Sequence, residues 1–351
     1  MIVHVFNDQK KFSREYFKML SDNGVNLSNM MLIHYGKKDS YFAEIGLDTK
    51  FISNFFNPFA NLKLIGPLLK ADKVIVHSLA SPFLILLIAL SPSTGNKIHW
   101  VIWGKDLYFY HMLEKPKIHH KIYEALRKRA ISRIKNVISI FREDYELAEK
   151  WYHIKAANIE VVTLYPYALD LTVSEDKPEN SAGHTILLGN SGSYTNNHIE
   201  ALEKLSHNKE NIKKIVCPLS YGGNKAYVRR VMQMGESLFG DKFIPLVEFM
   251  EKEHYFEMLR TVDIGVFNYS RQEGLGNIWS LMLSGKTIYM KMPTSTTSFF
   301  RRNGIKVLDI EELKNEKIRR LHQDELRDNI RILEPLISVE ASMKRWNEIL
   351  R

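Results

Sequence analysis

A single cysteine, Cys217, occurs in 351 residues. One thiol forms no internal disulfide, and no group of His and Cys has zinc-site spacing, so neither framework is expected to hold this chain together. No Asp-x-Asp pair presents two carboxylates to a divalent cation, and no low-complexity tract or internal repeat occurs. Long apolar runs are missing too. The longest, Leu79 to Leu90, is broken by Pro82, stopped by Pro92 and shorter than the ~20 residues that span a bilayer; it reads as a buried helix. The start, Met1-Ile-Val-His-Val-Phe, leads straight into a strand without the basic stretch, apolar core and cleavage site of a secretion signal. A reducing, cytoplasmic setting is expected.

What is present is 45% apolar residues and a formal charge of +9. The length exceeds a usual single core, and two domains are expected. The charge favours anionic partners: nucleic acid, anionic headgroups or phosphorylated small molecules. Short apolar runs alternate with stretches of helical period, the pattern of parallel sheets with crossover helices. Strands are predicted at Ile2–Phe6, Met31–Tyr35, Val74–His77, His99–Trp103, Val137–Ile140 and Ile159–Leu164. A second series follows at Thr185–Leu188, Lys214–Cys217, Lys242–Pro245, Asp263–Phe267 and Thr287–Met290. Residues 1–165 and 185–323 thus form two Rossmann-like α/β domains. A polar linker joins them over 166–184, and C-terminal helices occupy 324–351.

Ligands of open α/β sheets bind outside the carboxyl ends of the strands, so the residues after each apolar run carry the information. They are Asn7-Asp8, His77-Ser78 and Trp103-Gly-Lys-Asp106 in the first half. In the second they are Gly189-Asn-Ser-Gly192, Leu219-Ser-Tyr221-Gly-Gly-Asn224 and Tyr269-Ser-Arg-Gln-Glu-Gly-Leu-Gly276. Two such units can face each other across a cleft, one holding a donor and the other an acceptor, which is the GT-B arrangement of glycosyltransferases. Gly189 and Gly192 let backbone N–H groups approach an anion such as a diphosphate, with Asn190 and Ser191 between them and Thr195 or Asn196 capping a helix aimed there. Ordinary strand-turn-helix connections use the same residue types. In the 267–279 loop, Arg271 can fork onto phosphate, Gln272 or Glu273 can hold sugar or ribose hydroxyls, and Gly274 and Gly276 allow close approach. A dinucleotide fingerprint is excluded, because Trp279 stands where the third glycine belongs. Asp106 can act as general base on an acceptor hydroxyl with Trp103 as a stacking face, or it can be a helix cap with Trp103 in the core. His4 and His77 point to the same edge. Without a metal pair, Arg, backbone N–H groups and a helix N-terminus have to neutralise a departing diphosphate; no metal and no cofactor are expected.

Residues 115–135, KPKIHHKIYEALRKRAISRIK, carry ten basic or histidine residues, with Ile118, Ile122, Leu126, Ala130 and Ile134 every four positions. This is a basic amphipathic helix suited to an anionic membrane surface, although a stripe facing the core with solvated charges has the same pattern. No helix-turn-helix or aromatic-interleaved basic sheet accompanies it, and nucleic acid is not the expected partner.

Four short motifs occur in order: Trp103-Gly-x-Asp106-Leu-Tyr, Gly189-Asn-Ser-Gly192, Asn196-x-His198-Ile-x-Ala-Leu and Arg271-Gln-x-Gly-x-Gly276. Together they resemble the 4-acetamido-4,6-dideoxygalactose (Fuc4NAc) transferases of enterobacterial common antigen synthesis, from His4 to about Gly304. The resemblance implies a GT-B enzyme that moves Fuc4NAc from a dTDP-sugar to an undecaprenyl-diphosphate-linked saccharide of common antigen or O-antigen assembly, peripheral at the cytoplasmic face of the inner membrane. On that reading Gly189, Asn190, Ser191, Gly192, Asn196 and Arg271 serve the donor diphosphate. Tyr221, Gln272, Glu273, Gly274 and Gly276 serve its sugar and nucleoside. Asp106, with His4 or His77, activates an acceptor bound near Asp8 and Trp103. The rivals are a nicotinamide-dependent oxidoreductase or epimerase of sugar nucleotides, and a non-catalytic membrane-surface protein.

Overall fold

The structure, a computed structural model, describes residues 1–7, 10–54, 56–170, 172–173 and 183–351. Asp8 and most of the expected linker lie outside the described residues. Met1–Ala168 together with Ile337–Arg351 make one compact unit, and Leu169–Leu336 make the other.

In the first unit β1 (Ile2–Phe6), β2 (Met30–Tyr35), β3 (Asp48–Ile52), β4 (Lys73–His77), β5 (Ile98–Val101), β6 (Asn136–Ser139) and β7 (Ala157–Glu160) form a parallel sheet. Its order is β3-β2-β1-β4-β5-β6-β7. The second unit repeats the plan with β8 (His184–Leu188), β9 (Ile212–Pro218), β10 (Phe243–Leu246), β11 (Ile264–Phe267), β12 (Thr287–Met290) and β13 (Leu308–Asp309), in the order β10-β9-β8-β11-β12-β13. In both sheets the order reverses at the first strand, between β1 and β4 and between β8 and β11. Crossovers there leave toward opposite faces, and the gap at the carboxyl edge is where open α/β sheets take ligands.

The central strands are continuous apolar runs because both faces are covered, as in Val3, Val5, Ile75, Ile186 and Val266, all buried. The edges depart from expectation. β3 has the sequence Asp48-Thr-Lys-Phe-Ile, too polar to stand out as a buried strand, and β13 is only two residues long. β5 stops at Val101 rather than Trp103 because the Trp103 N–H turns away to the Asp106 carboxylate, at 3.0 Å. The Leu79–Leu90 run becomes a helix at Pro82–Leu90, capped by Ser81. Leu84, Ile85 and Ile88 are buried, but Leu86 and Leu90 are exposed, so only one face enters the core.

The 324–351 segment divides. A helix over Gln323–Ile337 ends beyond Pro335, and Ser338 caps another over Val339–Leu350 whose residues return to the first unit. There Trp346 is fully buried, its ring centroid 4.8 Å from that of Tyr16 and its indole N–H donating to the Leu164 carbonyl at 3.0 Å. Replacing Trp346→Ala removes this plug, and urea unfolding of the first unit is expected to show a loss of about 3–5 kcal/mol. A change below 1 kcal/mol would mean that the last helix does not belong to that core.

Candidate active site

The described sequence-predicted residues of the first unit lie on β1 and β4 and in the loop after β5, mostly below the surface, with His4 in the middle of β1 and His77 at the end of β4. Asp106 is buried in the short helix Lys105–Tyr108. One carboxylate oxygen accepts from the Leu79 N–H at 2.9 Å and the Trp100 indole N–H at 2.7 Å, while the other takes the Trp103 N–H. The Asp106 carbonyl accepts from Arg127, which also donates to the Leu79 carbonyl at 3.1 Å and pairs with buried Glu124. With three donors converging on it, the carboxylate ties the β4 loop, which includes Ser78 at φ 73, to the β5 loop. This geometry gives Asp106 a positioning role in place of the expected proton abstraction.

His4 and His77 are buried as well. His4 Nδ1 lies 3.2 Å from His77 Nε2, and His77 Nδ1 lies 2.5 Å from the Tyr165 hydroxyl, which also receives the Trp103 indole N–H at 3.0 Å. Phe6, Tyr16, Phe17 and Trp346 enclose the pair. Burial holds both rings neutral, lowering His4 to about 3 and His77 well below its ordinary 6.5. Their buried, tightly packed position makes them a polar core network rather than a free base. Trp103 is half-buried, edge-on to Phe12, with its N–H committed.

In the second unit the structure brings the predicted residues together around β8 and β11. Asn197 Nδ2 donates to the Asn268 carbonyl at 2.8 Å and to Ser270 at 2.7 Å. Asn268 Nδ2 returns a bond to Glu200 at 3.0 Å, and the Ser270 N–H reaches the Thr195 carbonyl at 3.2 Å. These bonds lace the loop after β8 to the loop after β11. The Gly192 N–H donates to the Tyr221 carbonyl at 2.7 Å, drawing in the loop after β9, and Asn190 Nδ2 holds the Tyr221 hydroxyl at 3.2 Å. Tyr221 thereby stays exposed with its ring braced.

The loop N–H groups expected to cradle an anion are largely spent inside the protein. That of Gly189 goes to the Val266 carbonyl at 3.0 Å, that of Asn190 to Asn196 Oδ1 at 2.8 Å, and that of Gly192 to Tyr221. Asn196 is therefore a brace and not a helix cap; the helix His198–Ser206 starts two residues later, after Asn197 at φ 48. Gly189, at φ 70, is needed because a Cβ there would sit 2.6 Å from Asn196 Oδ1 and 2.7 Å from His198 Nε2. Gly274, at φ 69, likewise yields to the Tyr269 hydroxyl. Both glycines serve packing between the loops.

Those side chains are the most telling feature. Asn190 Oδ1, His198 Nε2, Asn268 Oδ1, the Tyr269 hydroxyl, Gln272 Oε1 and Glu273 Oε1 are buried polar atoms without a hydrogen-bond partner. Buried polar atoms are ordinarily paired, since leaving one unpaired costs about 1–3 kcal/mol. Six of them lie in the loops after β8 and β11 and at the start of the His198–Ser206 helix. Arg271 contributes charge: it is paired with Glu273 at 2.9 Å and bonds the Gln272 carbonyl at 3.1 Å, using two of its five N–H donors. Burial raises the Glu273 carboxyl above its ordinary range, against the pull of Arg271. His198, Asn268 and Tyr269 had no assigned role in the sequence, although His198 sits inside one of the quoted motifs. The Tyr227 hydroxyl accepts the His198 backbone N–H at 3.1 Å and lies 3.1 Å from Nδ1; where the hydroxyl donates to Nδ1, the ring proton sits on Nε2. Burial lowers the His198 pKa to about 4 and keeps the ring uncharged. Among the described residues no group of three or more His, Cys, Asp or Glu is placed to hold a metal ion.

Solved structures share this architecture over nearly the whole chain. A glycosyltransferase from Rickettsia africae ESF-5 is 16% identical with a TM-score of 0.63, covering 99% of this chain and 97% of that one. Anabaena HepE in complex with UDP-glucose is 10% identical with a TM-score of 0.70, over 99% and 98%. WaaG, a glycosyltransferase involved in lipopolysaccharide biosynthesis, is 11% identical with a TM-score of 0.59, over 97% and 94%. At such identities the likeness is one of fold, and the fold is that of the GT-B glycosyltransferases. Residues 69–335 match the 4-alpha-L-fucosyltransferase family, glycosyl transferase group 56, and the chain belongs to that family. It is a hexosyltransferase.

Two outcomes are expected. Asp106→Asn turns an amide N–H toward a backbone or indole N–H and should lower stability in chemical denaturation by about 1–3 kcal/mol; unaltered stability with lost turnover would restore the catalytic assignment. His4 and His77 are depressed below 6.5, so between their folded values and 6.5 the unfolded chain binds protons that the folded chain refuses. Stability is then complete above pH 6.5 and falls as pH drops below it, by about 1.4 kcal/mol per pH unit for each histidine. A series of melts from pH 7.5 to about 4.5 should show a shallower slope in His4→Phe.

Proposed function

We propose that this enzyme transfers a 4-acetamido-4,6-dideoxyhexose from a dTDP-sugar to a polyprenyl-diphosphate-linked saccharide in cell-surface polysaccharide assembly. The carrying observation is the set of unpaired buried polar atoms at the β8/β11 reversal beside Arg271. A nucleoside diphosphate sugar fits that set: the diphosphate draws on Arg271 and the neutral Nε2–H of His198, and hydroxyl and acetamido groups complete Asn190, Asn268, Tyr269, Gln272 and Glu273. The braced ring of Tyr221 offers a stacking face for the base. With the Arg271 guanidinium facing the leaving diphosphate, the transfer needs no metal on this reading. The Nε2–H of His198 binds phosphate oxygen without adding charge, and Arg271 supplies the charge-assisted bonds that strengthen as the sugar departs.

The acceptor reading rests on the family and on the helix over Ile118–Ile131, which begins among Lys115, Lys117 and Lys121. Its stripe splits: Ile118 and Ile122 stand exposed, while Ala130 and Ile134 enter the core and Arg127 is buried. The outward turns present apolar and cationic groups together, as an interfacial helix on an anionic membrane does. No helix among the described residues is long and apolar enough to cross a bilayer; the contact proposed is a peripheral one at the inner membrane.

The test is thermal stabilisation by dTDP, UDP, GDP, ADP and NADH, since a ligand of the folded state at 100 times its Kd adds about 2.7 kcal/mol. Selective stabilisation by dTDP is expected, weakened roughly 10- to 100-fold in Kd by Arg271→Ala and less by His198→Phe. Preference for NADH, or equal response to dTDP in Arg271→Ala, would overturn the donor site.

A further inference from the structure

Away from the strand-edge site, the first unit carries exposed apolar side chains on two segments. After β3 the chain makes a short helix, Pro58–Asn61, and a turn, Leu62–Leu64, that leave Phe56, Phe59 and Leu62 exposed to 78%, 81% and 51%. The first turns of the 118–131 helix leave Ile118 and Ile122 exposed to 73% and 64%. These two segments are far apart in sequence but joined in space. The Tyr35 hydroxyl donates to Asn61 Oδ1 at 2.5 Å and lies 2.9 Å from Ser81 Oγ; the preceding residue, Ala80, accepts from the Tyr123 hydroxyl at 3.2 Å. Asn61 stands between Phe59 and Leu62, and Tyr123 follows Ile122, so the first segment through Tyr35 and the second directly both connect to Ala80-Ser81 after β4.

Their charge is of one sign. Residues 56–64 contain Lys63 and no acid, and residues 115–123 contain Lys115, Lys117 and Lys121 and no acid. All four lysines are exposed. A second copy of this chain would set cation against cation, whereas an anionic headgroup layer over an acyl phase matches both parts.

We propose that Phe56, Phe59 and Leu62 form a second membrane contact beside the 118–131 helix, and that the two together seat the first unit on an anionic phospholipid bilayer. This extends the membrane reading given above and rests on it. The aromatic and aliphatic groups enter the acyl boundary, and the lysines hold headgroup phosphates on either side. The chain reaches both contacts by way of the carboxyl ends of β3 and β5, the edge of the sheet where an acceptor is expected.

Flotation of the full chain with phosphatidylcholine vesicles, with and without phosphatidylglycerol, tests this. The wild type should float with the anionic vesicles alone. Phe59→Ser/Leu62→Ser and Ile118→Ser/Ile122→Ser should each lower partitioning roughly tenfold or more, with melting temperature and dTDP stabilisation unchanged because all four residues are exposed. If Phe59→Ser/Leu62→Ser floats like the wild type while Ile118→Ser/Ile122→Ser does not, the second contact is wrong and the helix reading stands. If the wild type fails to float at all, both fall. Flotation with neutral vesicles equally well, or capture by an acidic protein without lipid, also overturns the proposal.

Discussion

Everything polar in this enzyme is arranged around a reversal of strand order. A parallel sheet buries its faces under helices and offers ligands only its carboxyl edge, and that edge opens where successive crossovers part to opposite faces. The chain makes this arrangement twice, beside β1 and beside β8, and fills the two openings differently. The first is closed by an aromatic and histidine network tied to Tyr165, together with the Asp106 knot. The second is lined by side chains left without partners. The fold alone would allow either to hold a ligand. His4 Nε2 and the Tyr16 hydroxyl lack partners in the first opening as well, so what separates the two is the aromatic packing that fills the first and the Arg271 charge at the second.

The lacing between Asn197 and Asn268 shows how the receptive opening is maintained. Unpaired polar groups are costly to keep buried, and they persist only where the surrounding backbone is overdetermined. Here reciprocal amide bonds, the Thr195–Ser270 backbone bond and glycines pressed against neighbouring side chains hold three loops in one arrangement. On the donor reading proposed above, the loops are organised before substrate arrives, which limits the ordering cost of binding.

Much of this was readable in the sequence. Apolar runs of buried strands announced the two α/β halves, and the polar residues after each run pointed to the loops that now surround β8 and β11. Edge strands were harder, since β3 and β13 lack the apolar signal that two-sided burial imposes. The roles of individual residues were harder still. Asp106 and His77 have the residue types of acid–base chemistry, but only the positions of Trp100, Leu79 and Tyr165 reveal that their polar atoms are engaged in holding the core together. Conversely, nothing in the type or spacing of Asn268, Tyr269 or His198 distinguishes a ligand-facing atom from a paired one, because pairing is a property of three-dimensional neighbours. The 115–135 stripe repeats regularly in sequence, yet its two halves meet different surroundings.

The return of residues 337–351 to the first unit sets the order in which the molecule is made. A ribosome delivers β1 to β7 early, but the helix that carries Trp346 arrives after the whole second unit has been synthesised. Until then the pocket around Tyr16 and His77 lacks its plug. The half that is made first is therefore finished later than the second, and loss of residues 337–351 would damage the first unit rather than the second.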